Sequence, residues 1–433
     1  MSAAHPLHGT AQVLERLAGL PGGLELLAQA RRREDVALVG GAVRDLLLGH
    51  WPRELDVTVA ADAAGLAREL AASVSPSERA YGKPVEPLLH ERFGTASVAW
   101  QYGRIDVAER RAETYSAPGA LPEVRPGRFE EDLRRRDFTV NAIALPLHGA
   151  DADGLLAVDG ALEDLRAGRL RILHERSFRD DPTRILRLAR YAARLRFEIE
   201  PETLRLANDA LAAGALDTVS GPRIGAELWL AAHEADARAA LRSLDTLGVL
   251  AALGMPVPFD HELAAEAEAL LPGDASKALL MMGLALRPRE RGASAPRAIA
   301  ERLGFTREQS HAVLAVAEDP AGLAASIADD AAAGRPLMLD GGPGAEAVAA
   351  AGALAARAES RAQTSVRQWF EIHRHVRLEI DGNDLIAAGV PEGPEIRVRL
   401  DAALRRRREG GAVGRGQELQ AALDAQPAPS ETT

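Results

Sequence analysis

Nearly every strand-like run in this 433-residue chain falls between Val36 and Pro146, and that confinement limits the fold more than any other feature. VALVGG, ELDVTVA, GTASVAW and RIDVA are short apolar runs bounded by turn residues, which is the pattern of strands. AVRDLLLG and AAGLARELAA lie among them and carry the three- and four-residue spacing of amphipathic helices. After His148 the strand signal all but disappears. Helical stretches then follow one another between breaks at Gly221-Pro222, Pro256, Pro258, Pro272-Gly273, Pro288, Pro320 and the glycine run from Gly341 to Gly344. The expected architecture is an α/β head with a mixed sheet and flanking helices at 1–147. A long all-α remainder follows, comprising a neck at 148–235 and a body and tail at 236–433, with a frayed end at AQPAPSETT.

Composition supports this division. Aromatic residues make up only 4% of the chain and alanine is abundant, which weighs against an all-β fold. Zero cysteines exclude disulfides, cysteine nucleophiles and cysteine-ligated zinc. The N-terminal MSAAHPLHGT has no basic segment followed by an apolar run, so no signal peptide is indicated. The longest apolar stretch, about Ala347 to Ala356, is too short to span a bilayer, and the expected setting is cytoplasmic, with no membrane partner. A net charge of −11 argues against a generally basic nucleic-acid binder. Local charge differs: Leu165 to Arg194 holds nine arginines against three acids, which leaves room for a nucleic-acid or nucleotide partner.

VALVGGAVRDLLLG reads as strand, double-glycine turn and helix. Glycines let backbone N–H groups approach a phosphate, a helix N-terminus adds partial positive charge, and Arg44 adds a side-chain cation. A tight turn without any ligand has the same sequence. Further on, Glu54 and Asp56 stand two apart on an expected strand and so share a face, an arrangement that is costly unless a cation neutralises it. Asp106 is the one acid inside RIDVA. Three carboxylates on neighbouring strands make an oxygen cage suited to Mg²⁺, and two such ions can activate a hydroxyl and stabilise a departing pyrophosphate. On a solvated edge strand the same acids would need no metal.

RRDFTVNA brings Arg135, Arg136, Asp137, Thr139 and Asn141 together at what reads as the start of a helix. A cation for phosphate beside a carboxylate and an amide for ribose hydroxyls fits a nucleotide; a surface ion pair with a helix cap fits as well. In RDDPTRILRLARYAARL, Pro182 suits the first helical position and Asp181 the cap, and Arg184, Arg187 and Arg190 recur every three residues after it. Ile185, Leu186 and Leu188 supply the packing side. Cytosine and adenine each present an amine donor beside a ring-nitrogen acceptor, whereas uracil and guanine present a carbonyl beside an N–H. An aspartate that accepts and an arginine that donates can therefore pair with C or A and repel U or G.

GGAVRD, an acidic pair on the next strand and RRDFTVNA, in that order, resemble the head of the tRNA nucleotidyltransferase and poly(A) polymerase family, in its class II CCA-adding branch. The resemblance continues through DGALEDLRAGRLRILHERSFRDDPTRILRLARYAARLRFEIEPET and returns at GPRIGAEL and IDGNDLIAAGVPEGPEI. It implies that Gly41, Arg44, Arg136 and Asp137 contact a nucleoside triphosphate, and that Glu54, Asp56 and Asp106 are catalytic residues carrying two Mg²⁺ ions. It implies further that Asp181 and Arg184 read the base and that Arg187 and Arg190 line the triphosphate or the base. Two positions depart from the family pattern: Glu54 replaces the first acid of Asp-x-Asp, and Asp180 replaces the glutamate of Glu-Asp-x-x-Arg.

The implied activity is template-independent addition of CMP and AMP, from CTP and ATP, to the 3′ end of tRNA with release of pyrophosphate. The helical regions would hold the tRNA acceptor stem and elbow, with the RRRR run from Arg405 to Arg408 as a candidate phosphate contact. Enzymes adding only CC, only the terminal A, or poly(A) are alternatives, governed by the segment from Arg111 to Asp132. A non-catalytic RNA-binding protein that lost metal through Glu54 is another. No protein partner is implied.

Overall fold

The computed structural model describes residues 5–74, 83–90, 94–148, 154–288, 295–318 and 320–425, and the expected frayed end at 426–433 lies outside them. The chain forms two compact units, Met1–Glu227 with Thr246–Leu253, and Leu228–Asp245 with Gly254–Thr433.

The first unit holds the sheet. Its strands are β1 (Ala37–Val39), β2 (Leu55–Val59), β3 (Leu88–His90), β4 (Thr95–Trp100), β5 (Gly103–Glu109), β6 (Arg111–Thr114), β7 (Glu123–Pro126), β8 (Ile143–Pro146) and β9 (Leu156–Ala157). Seven of them form one sheet in the order β3-β4-β5-β2-β1-β8-β9, while β6 and β7 pair separately. Only β2 and β5 run parallel within the large sheet. Its last strand comes from after His148, where a two-residue pairing leaves almost no sequence signal.

Helices α1 (Thr10–Ala18) and α2 (Gly23–Ala30) precede β1, and α3 (Gly41–Leu47) follows it. Next come α4 (Ala63–Ser73) and α5 (Phe129–Arg134). The amphipathic spacing of α4 buries Leu66, Ala67 and Leu70 over β4 and β5, each leucine stabilising the head by about 1.5–3 kcal/mol. Asp62 caps α4 through Oδ1, which accepts from Gly65 N at 2.9 Å, and a Cβ on Gly65 would collide with the same carboxylate, so cap and glycine require each other.

After the sheet come α6 (Ala161–Ala167), α7 (Ser177–Asp180), α8 (Thr183–Leu195), α9 (Pro201–Ala212) and α10 (Gly221–Ala232). α8 buries Ile185, Leu186, Leu188 and Ala189 as its spacing predicts. It starts one residue later than expected, with Pro182 just outside, because Asp181 takes an extended backbone and caps through Thr183 N at 3.1 Å.

The second unit is helical. Helix Ala345–Ala356, the apolar run too short for a bilayer, is the centre of its core and packs against His261–Leu270 and Pro320–Ala332. Small residues allow close packing here, since a Cβ on Gly352 would sit 3.3 Å from Leu270 Cδ1 of the first of these helices and 2.8 Å from Val366 Cγ2 of the helix Arg361–Glu371. Helices Gly382–Ala387, Pro394–Arg408 and Arg415–Asp424 close around Ile380, Leu385, Val390, Ala403 and Ala422. Among the described residues no helix is long and apolar enough to cross a membrane.

Candidate active site

The parallel ladder between β2 and β5 sets Asp56 directly beside Asp106. Glu54 lies at a bend just before β2 rather than on the strand, because pairing begins only where Leu55 meets Ile105. One oxygen from each of the three carboxylates lies within 4.8 Å of the others. On the far side of β5, Ser97 of β4 is the register partner of Asp106 and donates its hydroxyl to it. Arg104, two residues before Asp106 and therefore on the same face, donates from Nε to Asp106 Oδ2 at 2.8 Å. Burial, and then the charge of Glu54, push the Asp56 carboxyl up to about 6. Crowded oxygen donors with no nitrogen or sulfur ligand among them, one with its carboxyl raised by burial and by its acidic neighbour, fit a hard divalent cation.

Beside the acids, β1 is followed directly by Gly40, whose φ of 65° and ψ of −131° exclude a side chain. A Cβ there would also lie 2.7 Å from Arg136 Nη1, so the strict glycine of the pair is Gly40, while Gly41 opens α3 and is partly exposed. Arg136 is held by Asp132 at 3.0 Å, and its charge acts on Asp56 to favour the carboxylate. The stretch from Arg135 to Asn141 is the exit of α5 followed by a 3-10 turn over Thr139–Asn141, not the start of a helix. Asp137 spends its carboxylate on its own backbone neighbour and on a partner helix instead of capping.

Arg44 points inward. At 1% exposure its Nε and Nη2 lie 2.8 and 2.7 Å from Asp45 Oδ1, and Nη1 donates to Asn141. Asn141 in turn donates to Asp137 Oδ1 at 2.9 Å, and Asp137 Oδ2 receives Arg187 Nε at 2.8 Å. Burial alone would raise the Asp137 carboxyl, but Arg187 and the Asn141 amide override it and hold it at about 2. Arg187 and Arg190 both reach Glu227, at 3.3 and 3.4 Å. The ring of Tyr191 lies under Arg44, Arg187 and Arg190, 4.9 to 5.5 Å from each guanidinium. Arg194 closes the series on Asp45 at 3.1 Å. α8 is thus fastened to α3 and to the 3-10 turn by a continuous polar chain.

At the other end of α8, Asp181 Oδ1 accepts from Thr183 N, from Thr183 Oγ1 and from Arg223 Nη2 at 3.0 Å. Arg184 donates to Ser177 Oγ and to the Arg135 carbonyl, both at 2.7 Å. Those two bonds use two of the five guanidinium N–H donors and fix the plane of a side chain that is itself buried. Arg223 also donates to the Gly119 carbonyl at 2.9 Å, so one side chain joins the segment between β6 and β7 to Asp181.

Of the residues singled out from sequence, Glu54, Asp56 and Asp106 form one group with Arg136 beside them, and Gly41 stands at the start of α3, one residue after the Gly40 that packs on Arg136. Arg44, Asp137, Arg187 and Arg190 form a second, internal group, and Asp181 and Arg184 a third. Sequence reading missed Arg104, Tyr191, Arg223 and Glu227. Arg104 stands two from Asp106 and Tyr191 four from Arg187, spacings that place each pair on one face, while Arg223 and Glu227 fall in GPRIGAEL. In the second unit the RRRR run is only half available to phosphate. Arg408 is buried against Asp340 at 2.8 Å with Trp369 below it, and Arg407 pairs with Glu379 and Glu418, which leaves Arg405 and Arg406 exposed.

Residues 36–171 match the family described as the poly A polymerase head domain. The chain is 39% identical over 227 residues to the A-adding tRNA nucleotidyltransferase of Halalkalibacterium halodurans, a match covering 52% of this chain and 51% of that protein. It is 42% identical over 236 residues to the CC-adding tRNA nucleotidyltransferase of Deinococcus radiodurans, covering 54% and 59%. The chain therefore spans about half the length of these curated relatives. Among solved structures it is similar to a CCA-adding enzyme in an apo form, with a TM-score of 0.76 at 25% identity over 98% of this chain and 99% of that one. The Thermotoga maritima CCA-adding enzyme complexed with tRNA shares the fold, with a TM-score of 0.71 at 24% identity over 98% and 99%.

Proposed function

From a head that belongs to the poly A polymerase head-domain family, we propose that this chain adds CMP and AMP, taken from CTP and ATP, to the 3′ end of tRNA. The observation that carries the reading is the joint placement of Asp56 and Asp106 in register, with Glu54 completing the carboxylate group and Arg136 beside it. Glu54, Asp56 and Asp106 would hold Mg²⁺, which when bound lowers the cost of deprotonating a hydroxyl nucleophile and of releasing pyrophosphate. Gly40 keeps the backbone low enough for a triphosphate to pass, and Arg136 supplies a cation there. Asp181 accepts from the base amine and Arg184 donates to the ring nitrogen, so protein groups replace a nucleic-acid template. The network of Asp137, Arg187, Asn141 and Arg44 holds α8 in place for that reading.

The neck at 148–235 would carry the base-reading helix, and the helical body and tail at 236–433 would hold tRNA by shape and phosphate contacts. With tRNA as its substrate, the proposed setting is the cytoplasm. The relatives named above add A in one case and CC in the other. Purified protein is therefore assayed with labelled CTP and ATP on tRNA ending at the discriminator base, at C and at CC, with and without Mg²⁺. Magnesium-dependent uptake on at least one of these acceptors is expected. Absence of uptake on all three, with tRNA still bound, would replace the enzyme by a non-catalytic RNA-binding protein.

A further inference from the structure

Asp106 already has a cation. Arg104 Nε lies 2.8 Å from Asp106 Oδ2 and 3.1 Å from Oδ1, and 4.0 Å from Glu54 Oε2. Its Nη2 reaches Ser97 Oγ at 3.5 Å. The register explains why the contact is built in: Arg104 and Asp106 share a face of β5, and Arg104 pairs with Ala99 across the β4–β5 hairpin. Between Arg104 and the Ser97 hydroxyl, both oxygens of Asp106 are occupied. The arginine side chain is 53% exposed, so the guanidinium can leave without vacating a packed core.

We propose that Arg104 is a resident counter-ion of the acidic group, which a divalent cation must displace from Asp106 in order to bind. The inference rests on the reading of Glu54, Asp56 and Asp106 as the metal site and deepens it. Asp106 Oδ1 already takes two donors, from Ser97 and Arg104, and Oδ2 one, so an Mg²⁺ ion at about 2.0–2.1 Å from either oxygen competes with the guanidinium for the same side of the carboxylate. Like-charge repulsion opposes the ion as well, until the guanidinium turns away. A nucleoside triphosphate offers that guanidinium another anion, so metal and nucleotide would load together more readily than metal alone.

The test reads metal binding, not turnover. Mn²⁺ is titrated into the nucleotide-free full chain and followed by electron paramagnetic resonance or calorimetry, for the wild type, Arg104→Gln, Arg104→Ala and Arg104→Lys. Removing the cation is expected to tighten Mn²⁺ binding about threefold to tenfold, the range for an exposed ion pair plus the relief of like-charge repulsion. Arg104→Lys is expected to stay near the wild type. Circular dichroism establishes folding, and Arg104→Gln carries the test if Arg104→Ala does not fold. Unchanged or weaker Mn²⁺ binding in Arg104→Gln, with the wild type binding normally, overturns the counter-ion role alone. Absence of Mn²⁺ binding in every form, the wild type included, overturns the metal site with it.

Discussion

Asp56 and Asp106 face each other as register partners across the parallel pairing of β2 and β5, and Asp56 is the one whose carboxyl is pushed up to about 6. Parallel neighbours put like residues side by side without offset, so two acids in this register repel unless something positive enters between them. That relationship builds the carboxylate group, while burial and then the charge of Glu54 set the Asp56 carboxyl.

The raised carboxyl of Asp56 makes the folded state hold a proton that the unfolded chain has released. Below about pH 4 both states are protonated and there is no penalty; between about 4 and 6 stability falls as pH rises, and above 6 the full penalty remains. Asp56→Asn should therefore stabilise the metal-free protein at pH 7.5 by about 1–3 kcal/mol, while abolishing incorporation. Urea melts at pH 4 and pH 7.5 check this, with the gain present only at the higher pH. Mn²⁺ affinity of the wild type should drop as pH falls through about 6, because the proton and the ion compete for one carboxylate.

Glu54 reaches the group from a bend outside the ladder, and its side chain is half exposed. The backbone there is free to follow a shorter side chain. Glu54→Asp should remain active with its magnesium requirement shifted by less than about tenfold, whereas Glu54→Gln loses charge and should need much more metal. Magnesium titrations of incorporation rate measure both. An inactive Glu54→Asp would mean that the neighbouring backbone is built for the longer side chain.

Asp137 has the opposite sign from Asp56. Held at about 2 by Arg187 and Asn141, it contributes stability above about pH 4 that is lost as pH falls towards 2. Asp137→Asn leaves the Arg187 charge with Glu227 as its remaining carboxylate partner and should cost about 2–4 kcal/mol at pH 7, somewhat less than deleting a whole buried partner. Thermal melts at pH 7 and pH 3 check it; the difference between variant and wild type should shrink at the lower pH.

Much of this was legible in the sequence where periodicity and local chemistry coincide. The strands around Leu38, Val57, Val98 and Val107 were, and so was α8, because alternation or helical spacing of apolar residues announces them. β9 was not, since a two-residue strand has no period to detect. The acids were found by spacing, but their adjacency depended on the β2–β5 register, which joins residues fifty apart in the chain. Arg44 shows the limit most plainly. A cation after a double glycine suggests a phosphate, yet the fold turns it towards Asp45, Asn141 and Tyr191, acceptors that no local pattern connects to it. Arg223 eluded reading for the same reason, lying far along the chain from both Asp181 and Gly119.

The base-reading role of Asp181 is tested most directly by polarity. Its Oδ1 accepts from Thr183 and Arg223; on the proposed reading, removing the carboxylate also deletes the acceptor for a base amine and leaves the Arg223 donor without its carboxylate. Incorporation by wild type and Asp181→Ala is measured with each of CTP, ATP, UTP and GTP at a fixed tRNA end. The account predicts that Asp181→Ala lowers discrimination of CTP over UTP by about 5- to 150-fold, the equivalent of 1–3 kcal/mol for one bidentate base contact. An equal loss with all four triphosphates would contradict it, reducing Asp181 to the cap of α8 and leaving the helix without a reading function.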